Sequence, residues 1–267
     1  MKAQKTINDP LYIEGIGIHS GKLCKLCIKP AEVNMGIVFV RTDLGKEVKV
    51  CSENLISNNR ATILQQDDVK IVTPEHLLAA CYGLGVNNLI IECDSEEIPI
   101  MDGGAKVFVE LLQKTGLKEQ TEQKSIIEIT KPIETEKIKA LPYDGLKITF
   151  TIEYPNTFIG KQTLALDITS EIFAKEIAPA RTYGFYAEVK ELLEKGLAKG
   201  ASMDNAVVIG EDKYLTKLRF PDELVRHKIL DLIGDLAVLG HPVKGHFIAN
   251  KSGHSDNAEM VRTISKI

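Results

Sequence analysis

The stretch Phe220–Gly240, FPDELVRHKILDLIGDLAVLG, constrains this chain more than any other. Pro221, Asp222 and Glu223 suit a first helical turn, Gly240 can adopt a left-handed stop, and Pro242 prevents continuation. The pattern predicts a helix of about five turns. Its apolar residues Leu224, Ile229, Leu230, Leu232, Ile233, Leu236, Ala237 and Leu239 cover far more than one narrow stripe, so much of the later half should be buried. His227, Asp231 and Asp235 interrupt that surface at i, i+4 and i+8, along one helix face. His and Asp one turn apart can grip a single cation. Taken alone, the segment leaves open the alternative of a solvent stripe on an amphipathic helix.

At 267 residues the chain is long enough for two domains. A net charge of -4 lacks the basic excess of a nucleic-acid binder and leaves room only for locally basic pockets. No apolar run approaches the ~18 residues of a membrane span, and MKAQKTINDPLYIEG has no stretch of signal-peptide length, so a soluble cytoplasmic protein is expected. The five cysteines, at 24, 27, 51, 81 and 93, are an odd number and do not read as a disulfide framework. Cys24 and Cys27 form a CxxC, but LCKLCIKP alternates like a strand and sends the two thiols to opposite faces. They are expected to be structural.

The N-terminal part reads as strands, LYIEGIGIHSGK, KLCKLCIKP and MGIVFVRTD, with turns at Gly15, Gly21 and Gly36. In IVTPEHLLAACYGLG, Thr73 is the expected N-cap and Pro74 the first helical residue, which places Glu75 and His76 in the first turn. The helix dipole explains an acid there; a histidine fits better as a neutral, metal-bound imidazole. A strand (NNLIIECD), a turn (EIPIMDGGA) and a helix (KVFVELLQKTGL) follow. The polar segment KTGLKEQTEQKS is the expected boundary between domains 1–121 and 122–267. Beyond it come strands in SIIEITKPIE, KIKALPYDG, LKITFTIEYP and QTLALDI. A helix before or through ARTYGFYAEVKELLEKG is expected next, then a short strand in NAVVIG, the long helix, the strand KGHFIAN and a last helix near SDNAEMVRTISKI. Strands followed by helices in each half predict an α+β fold.

Of six histidines, His241 and His246 flank the strand after the long helix and should be exposed, while His19 and His254 lie at turns. A metal hydrolase needs three protein ligands, a base near the attacking water and an acid for the leaving group. His76, His227 and Asp231 can supply the ligands, Glu75 the base and His254 the acid, with Asp235 orienting the imidazole. Sequence spacing does not show that residues 150 apart meet.

The blocks GIGIHSG, TPEHLLAACYGLGVNNLIIE, EIPIMDGGA, ARTYGF, LAKGAS, LRFPDELVRHKILDLIGDLAVLGHPVKG and KSGHS, in that order over nearly the whole chain, closely resemble the UDP-3-O-acyl-N-acetylglucosamine deacetylases, metal enzymes of lipid A synthesis in Gram-negative bacteria. The resemblance implies two similar α+β domains, each with a sheet and paired helices, the helices sandwiched between the sheets and the site at their junction. The first domain would carry Glu75 and His76, the second His227, Asp231 and His254. It implies Zn2+, with Fe2+ the alternative, on His76, His227 and Asp231, Glu75 as general base, His254 as acid and Asp235 as its orienting partner. Thr182 would hydrogen-bond the developing oxyanion and Lys228 would add positive charge. Lys139 and Lys251 match positions that hold the nucleotide diphosphate; Tyr183, Phe185 and Gly200 match the acyl passage, and His19 lies near substrate. A monomer acting on a small UDP-sugar is expected, with no nucleic-acid partner and no membrane span. Two features depart from the commonest pattern, Pro74 where Val is frequent and DGGA where DGSA is frequent, neither at a ligand position. The competing readings are another metal-dependent amidase of acylated sugar nucleotides and a non-catalytic binding module.

Overall fold

The computed structural model describes residues 3–56, 60–155, 157–188, 194, 196 and 198–267. Residues 11–93 build one sheet from β1 (Leu11–Ile16), β2 (Leu23–Pro30), β3 (Ile37–Arg41), β4 (Lys46–Lys49) and β5 (Leu89–Cys93), in the order β1-β2-β5-β3-β4. Residues 127–250 build a second from β6 (Ile133–Glu134), β7 (Ile138–Leu141), β8 (Leu146–Tyr154), β9 (Gly160–Asp167) and β10 (Val243–Asn250), in the order β6-β7-β10-β8-β9, with the short strand Ile127–Glu128 pairing β10 off this path. The two orders are the same. In each sheet the last strand enters between two hairpins, parallel to one neighbour and antiparallel to the other.

The helices obey the same repeat. Helix α1 (Glu75–Leu84) precedes β5 and α2 (Lys106–Thr115) follows it; α3 (Glu223–Leu236) precedes β10 and α4 (His254–Ile264) follows it. Each half also inserts a strand pair before its first helix: Ile63–Gln66 with Val69–Val72 ahead of α1, and Tyr183–Phe185 with Val207–Ile209 ahead of α3. The buried faces of both sheets and all four helices belong to one hydrophobic core, an α+β arrangement with helices between sheets.

Helix α3 is the centre of that core. Among its residues only Arg226 and Lys228 escape full burial, so the apolar coverage read in the sequence extends from its first turn rather than its later half. The α-helix begins at Glu223, two residues after Pro221, and runs on as a 3-10 turn, Ala237–Leu239, to Gly240 at φ 71°. It crosses α1 at Gly234, where an added Cβ would stand 2.2 Å from the Glu75 carbonyl oxygen. The absent side chain lets the two helices approach at the level of the residues of interest. Gly234→Ala is expected to lower unfolding free energy by about 1–3 kcal/mol, the usual cost of overpacking, measured by urea denaturation.

Several local expectations need correcting. Thr73 is not an N-cap: it takes φ 57°, its side chain caps nothing, and Pro74 occupies the cap position ahead of Glu75. The buried Glu97 carboxylate lies within 3.4 Å of the Thr73 hydroxyl and draws it away from the helix end. Gly15 is not a turn but lies in β1, opposite Cys24. The polar segment near residue 120 is not a loop but a strand, Leu117–Gln123, paired with Ala3–Ile7 and tied in by the Gln120 side chain, which accepts from Asn88 and donates to the Ala31 carbonyl oxygen. Cys24 is buried and Cys27 half-exposed on the opposite face of β2, and all five thiols are free. The helix expected before or through residues 180–196 is found: helical turns occupy Ser170–Ile177 before the segment and residues 186–188 within it, and most of 189–197 lies outside the described residues.

Candidate active site

Glu75 and His76 open α1, His227, Asp231 and Asp235 project from α3, and His254 opens α4; all six are buried. The helical repeat aligns the three α3 residues and the α1–α3 crossing brings His76 to them. His227 Nε2 lies 3.2 Å and His76 Nε2 3.9 Å from Asp231 Oδ1, and one ligand atom from each residue falls within 4.8 Å of the others. Ligands on one tetrahedral ion stand about 3.3 Å apart, so the trio has the spacing a cation requires. Asp231 Oδ1 is buried without a hydrogen-bond partner, a costly state for a carboxylate that a bound cation would relieve. Burial, followed by the charge of His227, pushes His76 down to about 3. His227 is also lowered, again by burial, and its Nδ1 is fixed 3.1 Å from the Ala180 carbonyl oxygen. Neutral imidazoles are ready ligands, and the Ala180 contact orients that of His227.

Beside the trio sits an acid–base pair. His254 Nε2 is 3.7 Å from Glu75 Oε1 and 3.8 Å from Asp231 Oδ2, while His254 Nδ1 is 2.9 Å from Asp235 Oδ2. Burial raises Glu75 to about 8, against the pull of His254. Burial alone would lower His254, but Asp235 and then Asp231 outweigh it and hold the imidazole at about 9. Lys228 Nζ lies 2.7 Å from Asp231 Oδ2; the carboxylate overcomes the burial penalty and raises the ammonium pKa.

Glu75, His76, His227, Lys228, Asp231 and His254 face one cavity of about 480 Å³, which Thr182, Tyr183 and His19 also line, while Asp235 lies behind His254. Thr182 is fixed by main-chain bonds to Gly103 and Val207, and the preceding Arg181 by the fully buried Glu223 carboxylate. The Tyr183 hydroxyl meets that of Tyr154 at 2.8 Å, and these two rings line the cavity wall; Phe185 packs its ring 5.2 Å from Tyr154, behind that wall. Gly200 approaches the GIGIHSG block so closely that a Cβ would stand 2.2 Å from the Gly17 carbonyl oxygen. Glu97 accepts the backbone N–H groups of His19 and Ser20 and holds His19 at the cavity.

A sequence profile described as "LpxC: UDP-3-O-acyl N-acetylglycosamine deacetylase" matches residues 4–266. The chain belongs to this deacetylase family. It is 44% identical over 269 residues to the UDP-3-O-acyl-N-acetylglucosamine deacetylase of Thermodesulfovibrio yellowstonii, covering 99% of this chain and 92% of the relative. It is 43% identical over 271 residues to the enzyme of the same name from Nitratidesulfovibrio vulgaris, covering 98% of this chain and 88% of the relative.

Five of the residues matched to the deacetylases are not part of the cavity lining: Asp235, Phe185 and Gly200 stand behind it, and Lys139 and Lys251 lie apart from it. Lys139, on the outer face of β7, lies 3.6 Å from Glu134, and Lys251, after β10, lies 3.0 Å from Glu153. His241 is exposed, but His246 lies within β10, half-buried, 2.9 Å from the Thr149 hydroxyl. Conversely, sequence reasoning passed over Arg60 and Tyr154, which line the cavity, and Thr62, which contacts the acid–base pair. Asn257, whose amide donates to Asp235 at 2.8 Å, was partly legible, since it lies one helical turn after His254.

Proposed function

We propose that this protein removes the N-acetyl group from UDP-3-O-acyl-N-acetylglucosamine, releasing acetate and a free amine, in lipid A synthesis. The observation that carries the reading is the buried His76, His227 and Asp231 cluster with Glu75 and His254 beside it in one cavity. His76, His227 and Asp231 would hold Zn2+, for which Fe2+ is the alternative, and the ion would supply Lewis acidity and a positive charge that favours the ionised form of Glu75. Glu75 takes the proton from the attacking water. Thr182 donates to the oxygen that becomes negative as the acetamide carbon turns tetrahedral, and Lys228 adds positive charge nearby. His254, kept protonated by Asp235, gives its proton to the departing nitrogen as the C–N bond breaks.

The aromatic wall at Tyr183, with Phe185 and the loop at Gly200 behind it, receives the acyl chain, and His19 sits near the sugar. Lys139 and Lys251 hold the diphosphate, joined by Arg60, a basic side chain of the cavity itself. Both halves of the site come from one chain, which supports a monomer. The domains divide in the strand around residues 117–123. Among the described residues no helix is long and apolar enough to cross a membrane, and five free thiols fit the cytoplasm.

The test is acetate release by the Zn2+-loaded protein from the 3-O-acylated substrate and from its non-acylated counterpart. Burial of several methylenes predicts kcat/KM on the order of 10²-fold higher for the acylated form. Equal turnover of the two would mark a different amidase, and acetate release from neither would leave a binding module.

A further inference from the structure

We infer that Thr62 is a positioning residue that locks the acid–base pair from the opposite half of the molecule, an inference that rests on the deacetylase reading. Thr62 lies in the turn before Ile63–Gln66 and is fully buried. Its hydroxyl donates to Asp235 Oδ1 and also stands 3.3 Å from His254 Nδ1. Its backbone N–H donates to Glu75 Oε2 at 3.3 Å, and its carbonyl oxygen accepts the Thr73 N–H at 3.0 Å, two residues ahead of Glu75. One residue thus touches the base, the acid and the carboxylate that orients the acid.

The geometry leaves Thr62 a specific task. Asp235 is fully buried, and its Oδ2 already receives His254 Nδ1 at 2.9 Å and Asn257 Nδ2 at 2.8 Å, both from α4. Those two donors hold a single oxygen and leave the carboxylate free to swing about it. The Thr62 hydroxyl holds the second oxygen, so the carboxylate plane is fixed by donors from both halves of the chain. His254 is aimed through that plane. Without the hydroxyl, Oδ1 would lack its partner in a dry interior and the carboxylate would turn to find another, carrying the imidazole with it. Thr62 does not face a reacting atom; it acts through Asp235 and His254.

The experiment compares Thr62→Val, Thr62→Ala and Thr62→Ser in the Zn2+-loaded full chain, with kcat and KM for acetate release from the 3-O-acylated substrate, metal content, and the proton resonance of His254 Nδ1–H. Val keeps the shape and both backbone bonds and removes the hydroxyl; Ala keeps the backbone bonds and removes hydroxyl and methyl together, which excludes overpacking. Both are expected to lower kcat about 10- to 100-fold, with KM within about twofold, metal content unchanged and the His254 resonance shifted. Ser, which restores the donor, is expected to return kcat to within about threefold of wild type and the resonance to its place. Wild-type kcat in the Val and Ala variants, or a Ser variant as impaired as Val, overturns the inference. If the wild type itself releases no acetate, the deacetylase reading fails instead. The His254 resonance still tests the contact in that case, and an unchanged resonance in both Val and Ala overturns it.

Discussion

Glu75→Ala is expected to bind the metal as wild type does and to lower kcat by about 10²- to 10⁴-fold, the range supplied by a positioned general base. Glu75 is not one of the three clustered ligand residues, although it precedes one of them on α1. Its carboxylate faces His254 at 3.7 Å and receives the Thr62 N–H, whereas His76 is directed at Asp231. Removing the carboxylate should therefore spare the cluster. Because the side chain is almost fully buried, Glu75→Gln is the companion variant that keeps the volume, and it should show the same loss. Metal analysis together with single-turnover acetate release checks both. Near-normal turnover in either variant removes Glu75 as the base.

Metal removal should have an effect of at least comparable size. Chelation of the wild type is expected to lower acetate release at least about 10³-fold, several kcal/mol of lost charge stabilisation, with recovery on adding Zn2+. His227→Ala should show the same loss without recovery, since the remaining pair, His76 and Asp231, holds an ion too weakly. Stability should fall in parallel: a ligand at 100 times its Kd stabilises the folded state by about 2.7 kcal/mol, and chelation withdraws that contribution. Melting curves with and without chelator measure it, and the His227→Ala curve should not respond. Turnover that survives complete metal removal overturns the proposed mechanism.

The candidate site was partly legible because helices convert sequence spacing into geometry. His227, Asp231 and Asp235 had to share a face once FPDELVRHKILDLIGDLAVLG was a helix, and the structure adds that this face meets His76 and His254. The CxxC was dismissed correctly by the same logic in a strand, where residues three apart point to opposite faces. Thr73 shows the limit of local rules: its sequence context reads as a cap, yet the buried Glu97 beside it in space engages its hydroxyl. Thr62 carried no signal at all. A threonine in ATILQQ is an ordinary strand residue until two halves of the chain close around it.

The sequence alone determined the central buried helix, the α+β pattern of strands and helices in two halves, and the residue types of a metal-dependent hydrolase, because periodicity and ligand chemistry are local properties. Only the tertiary structure decided that the second sheet repeats the strand order of the first, that Gly234 lets α1 and α3 close on each other, and that Lys139 and Lys251 face Glu134 and Glu153 apart from the cavity lining. It also decided that Thr62 reaches Asp235 across 173 residues of chain. Such contacts depend on how the two halves pack against each other, and no spacing within either half encodes that approach.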